Sequence, residues 1–326
     1  MDILLLVAGI AILIVGAEIF VNSSVHIAKK LKVPTVIIAM TIIGIGTSAP
    51  ETVISITASL QGSSDLSMSN IIGSNYFNLL FIIGLCALFR PIKVKLREVG
   101  PESWLMVGST AALFIAMVAS RELLDPGDRM SPIVGIVMVV TFIVYLTLLL
   151  RHAKEGHRTH HHVTHRKTIE IPEEETQPLW RGILGVAFGL GVILFGGELT
   201  VSSAEAIAEQ FNVPSRIIGL TIIGAGTSLP ELTISLMACI RRESGIALGT
   251  IVGTNIYNLL FILGVAGTID PLLTDSNQML DLGVLTIGNI MFLIFMLTRK
   301  RITRIEGSIM LALYCGYIGY MVAITT

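Results

Sequence analysis

Apolar runs long enough to cross a bilayer, about 20 residues each, recur ten times along the chain: over 3–21, 33–60, 66–89, 104–120, 132–150, 180–201, 213–240, 244–268, 279–297 and 306–324. The second, third, seventh and eighth are interrupted by Gly, Pro, Ser and Asn where an ordinary membrane helix would carry leucines. Lipid offers backbone groups no water to bond, so such interruptions are tolerated only where they are buried in protein or line a cavity. The pattern therefore predicts an all-α polytopic membrane protein of ten transmembrane helices, with broken helices 2, 3, 7 and 8 around a site at mid-membrane. The opening stretch M-D-I-L-L-L has no basic segment and no small-residue cleavage site, and it reads as a retained first helix rather than a signal peptide.

The ten runs form two sets of five. Comparing 33–60 with 213–240 gives 16 identities in 28 positions, and comparing 70–84 with 250–264 gives 9 in 15, both without a gap and both at an offset of 180 residues. Glu18 pairs with Glu198, Pro34 with Pro214 and Pro91 with Pro271 at the same offset. Duplication explains this, and it divides the chain into a first five-helix repeat (1–150), a polar linker (151–179) and a second five-helix repeat (180–326). An odd number of spans per half makes the second half enter the membrane from the opposite side, an inverted repeat.

Charge placement agrees with that arrangement. The loops 22–32, 90–103, 151–178, 241–243 and 298–305 hold 18 of the 22 Lys and Arg, so the positive-inside rule puts them in the cytoplasm and both termini outside. Composition adds that 53% of the 326 residues are hydrophobic and 14% charged, more apolar than a soluble core of this length requires. The net charge of -1 gives no reason to expect a nucleic-acid partner. The bilayer itself is the expected surrounding. Cys86, Cys239 and Cys315 lie singly in apolar segments and read as packing residues.

The candidate chemistry sits in the interruptions. Thr41–Glu51 reads T-I-I-G-I-G-T-S-A-P-E and Thr221–Glu231 reads T-I-I-G-A-G-T-S-L-P-E. Glu51 and Glu231 are the carboxylates in the middle of predicted spans, and intramembrane carboxylates mark ion pathways. Two of them side by side repel unless a cation lies between them. Hard oxygen ligands suit Ca²⁺, which takes about six to eight of them in irregular geometry. The hydroxyls of Thr47, Ser48, Thr227 and Ser228 supply further oxygens, as do carbonyls freed around Pro50 and Pro230 where Gly44, Gly46, Gly224 and Gly226 let the chain unwind. Nitrogen and sulfur ligands are absent, against zinc or copper. The next helices add G-S-N-Y-F-N (73–78) and G-T-N-I-Y-N (253–258). Helical spacing puts Ser74 with Asn78, and Thr254 with Asn258, on one face. The plain alternative for Ser74, Thr254, Asn75 and Asn255 is helix packing.

This doubled pattern, G-T-S-x-P-E followed by G-S/T-N-x-x-N, resembles the two α-repeats of the calcium/cation antiporter superfamily, and the prokaryotic sodium/calcium exchanger branch in particular. The resemblance implies a secondary antiporter of a prokaryotic cell membrane, exchanging Ca²⁺ for Na⁺ by alternating access. It also implies Glu51 and Glu231 as shared Ca²⁺ ligands together with the Thr47 and Thr227 carbonyls. Flanking Na⁺ sites would draw on Ser48, Thr227, Thr254 and the Gly224 carbonyl on one side and on Ser228, Thr47, Ser74 and the Gly44 carbonyl on the other, with Asn78 and Asn258 in the middle. Some relatives carry aspartate at the position of Asn258; here both inner residues are amides, so the central charge is -2. That leaves Ca²⁺/H⁺ exchange at the same two glutamates as the alternative.

No resident cofactor is expected, and Ca²⁺ and Na⁺ (or H⁺) are cargo. A channel is the nearest other class, since broken helices and midplane carboxylates also build filters. An enzyme is excluded by the lack of His in any span and of H-E-x-x-H or G-x-S-x-G. Helices 1 and 6, rich in small residues (Gly9, Gly16, Gly185, Gly189, Gly191, Gly196, Gly197), are expected to slide against the rest, with Glu18 and Glu198 near their far ends, either as cation-attracting mouth residues or as interfacial charges. The linker carries six of the seven histidines and reads as a solvated connector, with a metal or pH sensor as the alternative.

Overall fold

The structure is a computed structural model and describes residues 2–31, 34–123, 129–159, 178–210, 224–274 and 276–325. Its helices are α1 (Asp2–Leu31), α2 (Thr35–Thr47), α3 (Ala49–Leu60), α4 (Ser64–Phe89), α5 (Leu96–Leu123) and α6 (Pro132–Thr159). They continue as α7 (Leu179–Gln210), α8 (Leu229–Ile240), α9 (Ser244–Ile269), α10 (Ser276–Arg299) and α11 (Arg304–Thr325). A helix falls in every predicted apolar run. Seven are long and apolar enough to cross a membrane, and α2 with α3, bent by 50° at Ser48, makes an eighth. Residues 211–223, with Pro214, Arg216 and Thr221, and most of the polar linker, 160–177, lie outside the described residues.

Burial sorts the helices into layers. The most apolar windows of α4 and α9 are 78% and 94% buried, against 28% for α1 and 22% for α6, so α4 and α9 form the centre and α1 and α6 face lipid. α2 packs on α9, α3 on α4 and α8 on α9; α5 and α10 pack on each other and flank the central pair. α6 covers the end of α9 and α11 the end of α4. These last two contacts are the same contact made twice. A Cβ on Gly84 would lie 2.9 Å from the Gly307 carbonyl, and one on Gly135 would lie 2.5 Å from the Gly264 carbonyl; Gly84 and Gly264 are equivalent positions of the repeat. A short antiparallel pair, β1 (Ile92–Lys93) with β2 (Arg301–Ile302), has its counterpart in the bridge between Arg129 and Leu273. Asp270 ties that end together, accepting from the Ser64 amide at 3.0 Å at the start of α4 and pairing with Arg129.

Outside the core, α1 runs antiparallel along α7. Gly9 meets Thr200, Gly16 meets Val192 and Ile193, Gly189 meets Phe20, and Gly182 meets Ile27, each so closely that a Cβ would lie at 2.5–3.0 Å. Small residues bring membrane helices into backbone contact, because packing rather than water exclusion holds them.

Three expectations are corrected. α4 and α9 are not broken: each stays continuous through a wide π-helical turn, Phe77–Ile82 and Tyr257–Ile262, so of the predicted interruptions only the T-S-x-P-E sites end a helix among the described residues. The stretch 22–31, expected as a loop, continues α1; apolar length measures the membrane, and a helix does not stop there, least of all with Lys29 and Lys30 complementing its C-terminal dipole. As a result Glu18 lies at the middle of α1 and not near its far end, and Glu198 is likewise well inside α7.

Candidate cation site

Each carboxylate is placed by a proline. Pro50 and Pro230 have no N–H to return to the carbonyls of Gly46 and Gly226, so the helix cannot run through them, and each starts a new helix at its first turn, where proline is tolerated. Glu51 and Glu231 thereby sit in the first turns of α3 and α8, where the helix dipole favours negative charge. The preceding segments, Gly44–Thr47 and the short turn Gly224–Gly226, end here and turn their C-terminal carbonyl dipoles toward the same region.

Both glutamates are 0% exposed. Ser228 donates its Oγ hydrogen to Glu51 Oε1 at 3.3 Å across 177 residues, so the two T-S-x-P-E motifs are in contact. On the two glutamates and on α4 and α9, the helices packed against α3 and α8, buried oxygens lack hydrogen-bond partners among the described residues: Glu51 Oε2, both oxygens of Glu231, the Oδ1 atoms of Asn78 and Asn258, and Ser74 Oγ. An unsatisfied buried acceptor ordinarily costs about 1–3 kcal/mol, and more when charged. Six such oxygens, with no Lys or Arg of the described residues in an ion pair with either glutamate, have the chemistry of a hard-cation site in which the cation replaces the missing donors. Among the described residues no group of three or more His, Cys, Asp and Glu gathers anywhere, so the acidic charge here comes from the glutamate pair.

The hydroxyls are arranged less simply than the motif suggests. Ser48 donates to the Gly44 carbonyl at 2.9 Å, Thr254 donates to it at 3.3 Å from α9, and Thr47 bonds back to Ile43 at 3.0 Å. A hydroxyl whose hydrogen goes to a carbonyl keeps lone pairs for another partner. The Gly44 carbonyl, however, serves as a junction between α2 and α9, a role the sequence reading did not assign. Glycine suits that position, since a Cβ would lie 3.0 Å from the Thr254 amide nitrogen, tighter than an ordinary contact. Thr47 is sealed from solvent, whereas Thr227 is half-buried and lines a cavity of about 570 Å³ with Pro50, Val53, Glu198, Ser202 and Pro230. Of the two expectations for Glu198, a mouth residue or an interfacial charge, the cavity favours the first.

Sequence reasoning missed two features. Gly245, Gly249 and Gly253 form a stripe along α9 against which α2 lies; a Cβ on Gly253 would sit 2.5 Å from Met40 Cα. Their spacing of four was readable. Arg241, at the end of α8, reaches both Glu18 and Asn22 of α1, and no local signal announces a pairing across 223 residues.

A family model for sodium/calcium exchanger protein matches residues 1–151 and 181–323, nearly the whole chain. The chain belongs to the sodium/calcium exchanger family. It is 32% identical over 271 residues to the inner membrane protein YrbG of Escherichia coli, covering 82% of this chain and 79% of that one. It is 28% identical over 339 residues to the sodium/calcium exchanger MaX1 of Methanosarcina acetivorans, covering 97% of each. Its fold matches that of the sodium-calcium exchanger NCX_Mj soaked with zero Na⁺ and Ca²⁺, with TM-score 0.80, 28% identity and 98% of each chain covered. This exchanger-family member is thus an integral membrane cation/calcium antiporter, not an enzyme.

Proposed function

We propose that the protein exchanges Ca²⁺ for Na⁺ by alternating access at a single site, built by Glu51 and Glu231 with oxygens from Thr47, Thr227, Ser48, Ser228, Ser74, Thr254, Asn78, Asn258 and the Gly44 and Gly224 carbonyls. The observation that carries this reading is the pair of fully buried glutamates in contact through Ser228, with unpartnered buried oxygens on them and on the helices packed against theirs. Two carboxylates match the charge of one Ca²⁺ or of two Na⁺, so either load neutralises the site and each excludes the other. The empty, doubly charged site is the costly species to carry through a low-dielectric barrier, which makes exchange obligatory.

The architecture proposed with it is two inverted repeats, 1–150 and 180–326, joined by the linker 151–179. The antiparallel packing of the equivalent helices α1 and α7 and the twice-made Gly84–Gly307 and Gly135–Gly264 contacts support it. The excess of Lys and Arg on one set of loops supports a cytoplasmic linker, external termini and residence in the cell membrane.

The test is Ca²⁺ uptake into proteoliposomes under an imposed Na⁺ gradient, then under an H⁺ gradient. Na⁺-driven uptake is expected, with loss of at least about 100-fold in Glu51→Gln and Glu231→Gln, since each variant leaves half the charge that holds Ca²⁺. Uptake driven by H⁺ alone would replace Na⁺ as the counter-ion, and uptake needing no counter-ion would make the protein a channel. Normal uptake in either Gln variant would remove the site.

A further inference from the structure

Four asparagines, buried to within 2% of full enclosure, close a ring between α4 and α9. Asn75 Nδ2 donates to the backbone carbonyl of Asn255 at 3.2 Å, and Asn255 Nδ2 donates to the carbonyl of Asn75 at 3.3 Å. Asn78 Nδ2 donates to Asn255 Oδ1 at 3.3 Å, and Asn258 Nδ2 donates to Asn75 Oδ1 at 3.1 Å. The oxygens of the inner pair, Asn78 Oδ1 and Asn258 Oδ1, are left without partners.

An amide has nearly the same shape either way round but opposite polarity at its two ends. Turned one way, Asn78 and Asn258 offer a cation an oxygen; turned the other way, they offer it two N–H bonds. Nothing within the inner pair decides between these. The backbone does: a main-chain carbonyl cannot flip, so it fixes which end of Asn75 and Asn255 faces it, and the remaining end of each, an oxygen, can accept only from the NH₂ of the inner residue opposite. The wide turns that begin two residues later, Phe77–Ile82 and Tyr257–Ile262, loosen the helical ladder where the two carbonyls accept a side chain from the other half.

We propose that Asn75 and Asn255 are positioning residues that fix the amides of Asn258 and Asn78 with their oxygens toward the cation. Simple packing of α4 on α9 accounts for the reciprocal outer bonds but not for two buried inner oxygens left without a donor among the described residues. The inference rests on the site proposed above, and it assigns the outer pair a role in ion selectivity: without it the inner residues are indifferent to the sign of the charge they meet.

The experiment is equilibrium binding of radiolabelled Ca²⁺ to the purified full chain in detergent, backed by uptake in proteoliposomes. Asn75→Ala is expected to raise the half-saturating Ca²⁺ about tenfold or more, because the Asn258 amide is released. In an Asn258→Asp background the same substitution should have no such effect, since a carboxylate presents an oxygen whichever way it turns; Asn255→Ala and Asn78→Asp form the mirror cycle. If Asn75→Ala aggregates, Asn75→Leu removes the acceptor while keeping the volume, with the same expected pattern. An equal loss in both backgrounds, or no loss in the parent, overturns the orienting role. Glu51→Gln in the same assay keeps the two readings apart: binding that survives it, or a parent chain that binds no Ca²⁺, defeats the site itself, whereas an additive cycle with Glu51 still essential defeats only the orientation.

Discussion

Glu18 on α1 and Glu198 on α7 are equivalent residues, yet they meet different surroundings. Arg241 holds Glu18 together with Asn22. The residues equivalent to Arg241 and Asn22 in the other half are Gln61 and Ser202, neither of them charged, and Glu198 lines an open cavity of about 570 Å³ that reaches Pro50, Pro230 and Thr227. The backbone is thus duplicated while two side-chain differences separate a bridged approach from an open one. The energy involved is small: Glu18 is 51% exposed and Arg241 34% exposed, and an exposed pair contributes about 0–1 kcal/mol, a factor of up to roughly five in an equilibrium. That scale suits a transporter, in which whichever end is closed has to open again.

The largest expected effect removes the difference by disabling both ends together. A Cβ at Gly189 would lie 2.9–3.0 Å from the backbone of Phe20, in the middle of the α1–α7 seam, so Gly189→Leu wedges the two helices apart. Overpacking costs about 1–3 kcal/mol, and the seam serves both approaches, so Ca²⁺ uptake should fall more than about tenfold in a variant that still elutes as folded protein. Uptake at the parent rate would show that close contact of α1 with α7 is not needed.

Next in size is the bridge. Val53 lines the open cavity, and its equivalent in the other half is Thr233. With exposed Cys315 replaced by Ser and Cys86 and Cys239 buried, Val53→Cys should react with a polar thiol reagent faster than Thr233→Cys. Arg241→Gln should raise labelling of Thr233→Cys up to about fivefold, the full value of an exposed pair. Labelling of Thr233→Cys that does not change would mean that Arg241 closes nothing.

Much of this was legible in the sequence, for identifiable reasons. The helices follow from apolar length, although among the described residues seven, or eight with the bent pair, are long and apolar enough to span. Glu51 and Glu231 stand out because a carboxylate in an apolar run has few explanations. G-S-N-Y-F-N and G-T-N-I-Y-N were misread as helix breaks: their polar side chains bond across the two halves, and the backbone absorbs the strain in a wide turn without ending the helix. The Arg241–Glu18 bridge was out of reach because it joins the end of α8 in one half to the middle of α1 in the other. Glu18 itself was misplaced because its span was measured by apolar residues, although α1 continues to Leu31.

Installing the missing charge should act in the opposite sense and more weakly. Gln61→Arg gives Glu198 a partner, but Gln61 is exposed and Ser202 is a poorer second acceptor than Asn22, so labelling of Val53→Cys should slow by about two- to threefold, below the upper bound for an exposed pair. An unchanged rate would mean that geometry, and not the absent charge, keeps that approach open.

The smallest effect separates attraction from closure. If Glu198 draws cations into the cavity, Glu198→Gln should raise the half-saturating Ca²⁺ about two- to threefold in dilute buffer, and the difference should vanish as choline chloride shortens the screening length from about 10 Å at 0.1 M to about 3 Å at 1 M. Choline leaves the Na⁺ gradient untouched, so the change reports the field alone. Glu18→Gln, which releases Arg241 rather than removing a charge that lines the cavity, should alter thiol access at Thr233→Cys and leave the salt dependence of Ca²⁺ affinity as it was. A salt-sensitive affinity change in Glu18→Gln matching that in Glu198→Gln would show the two glutamates to be doing the same job, and the contrast between the two approaches would then lie in their shape and not in their charge.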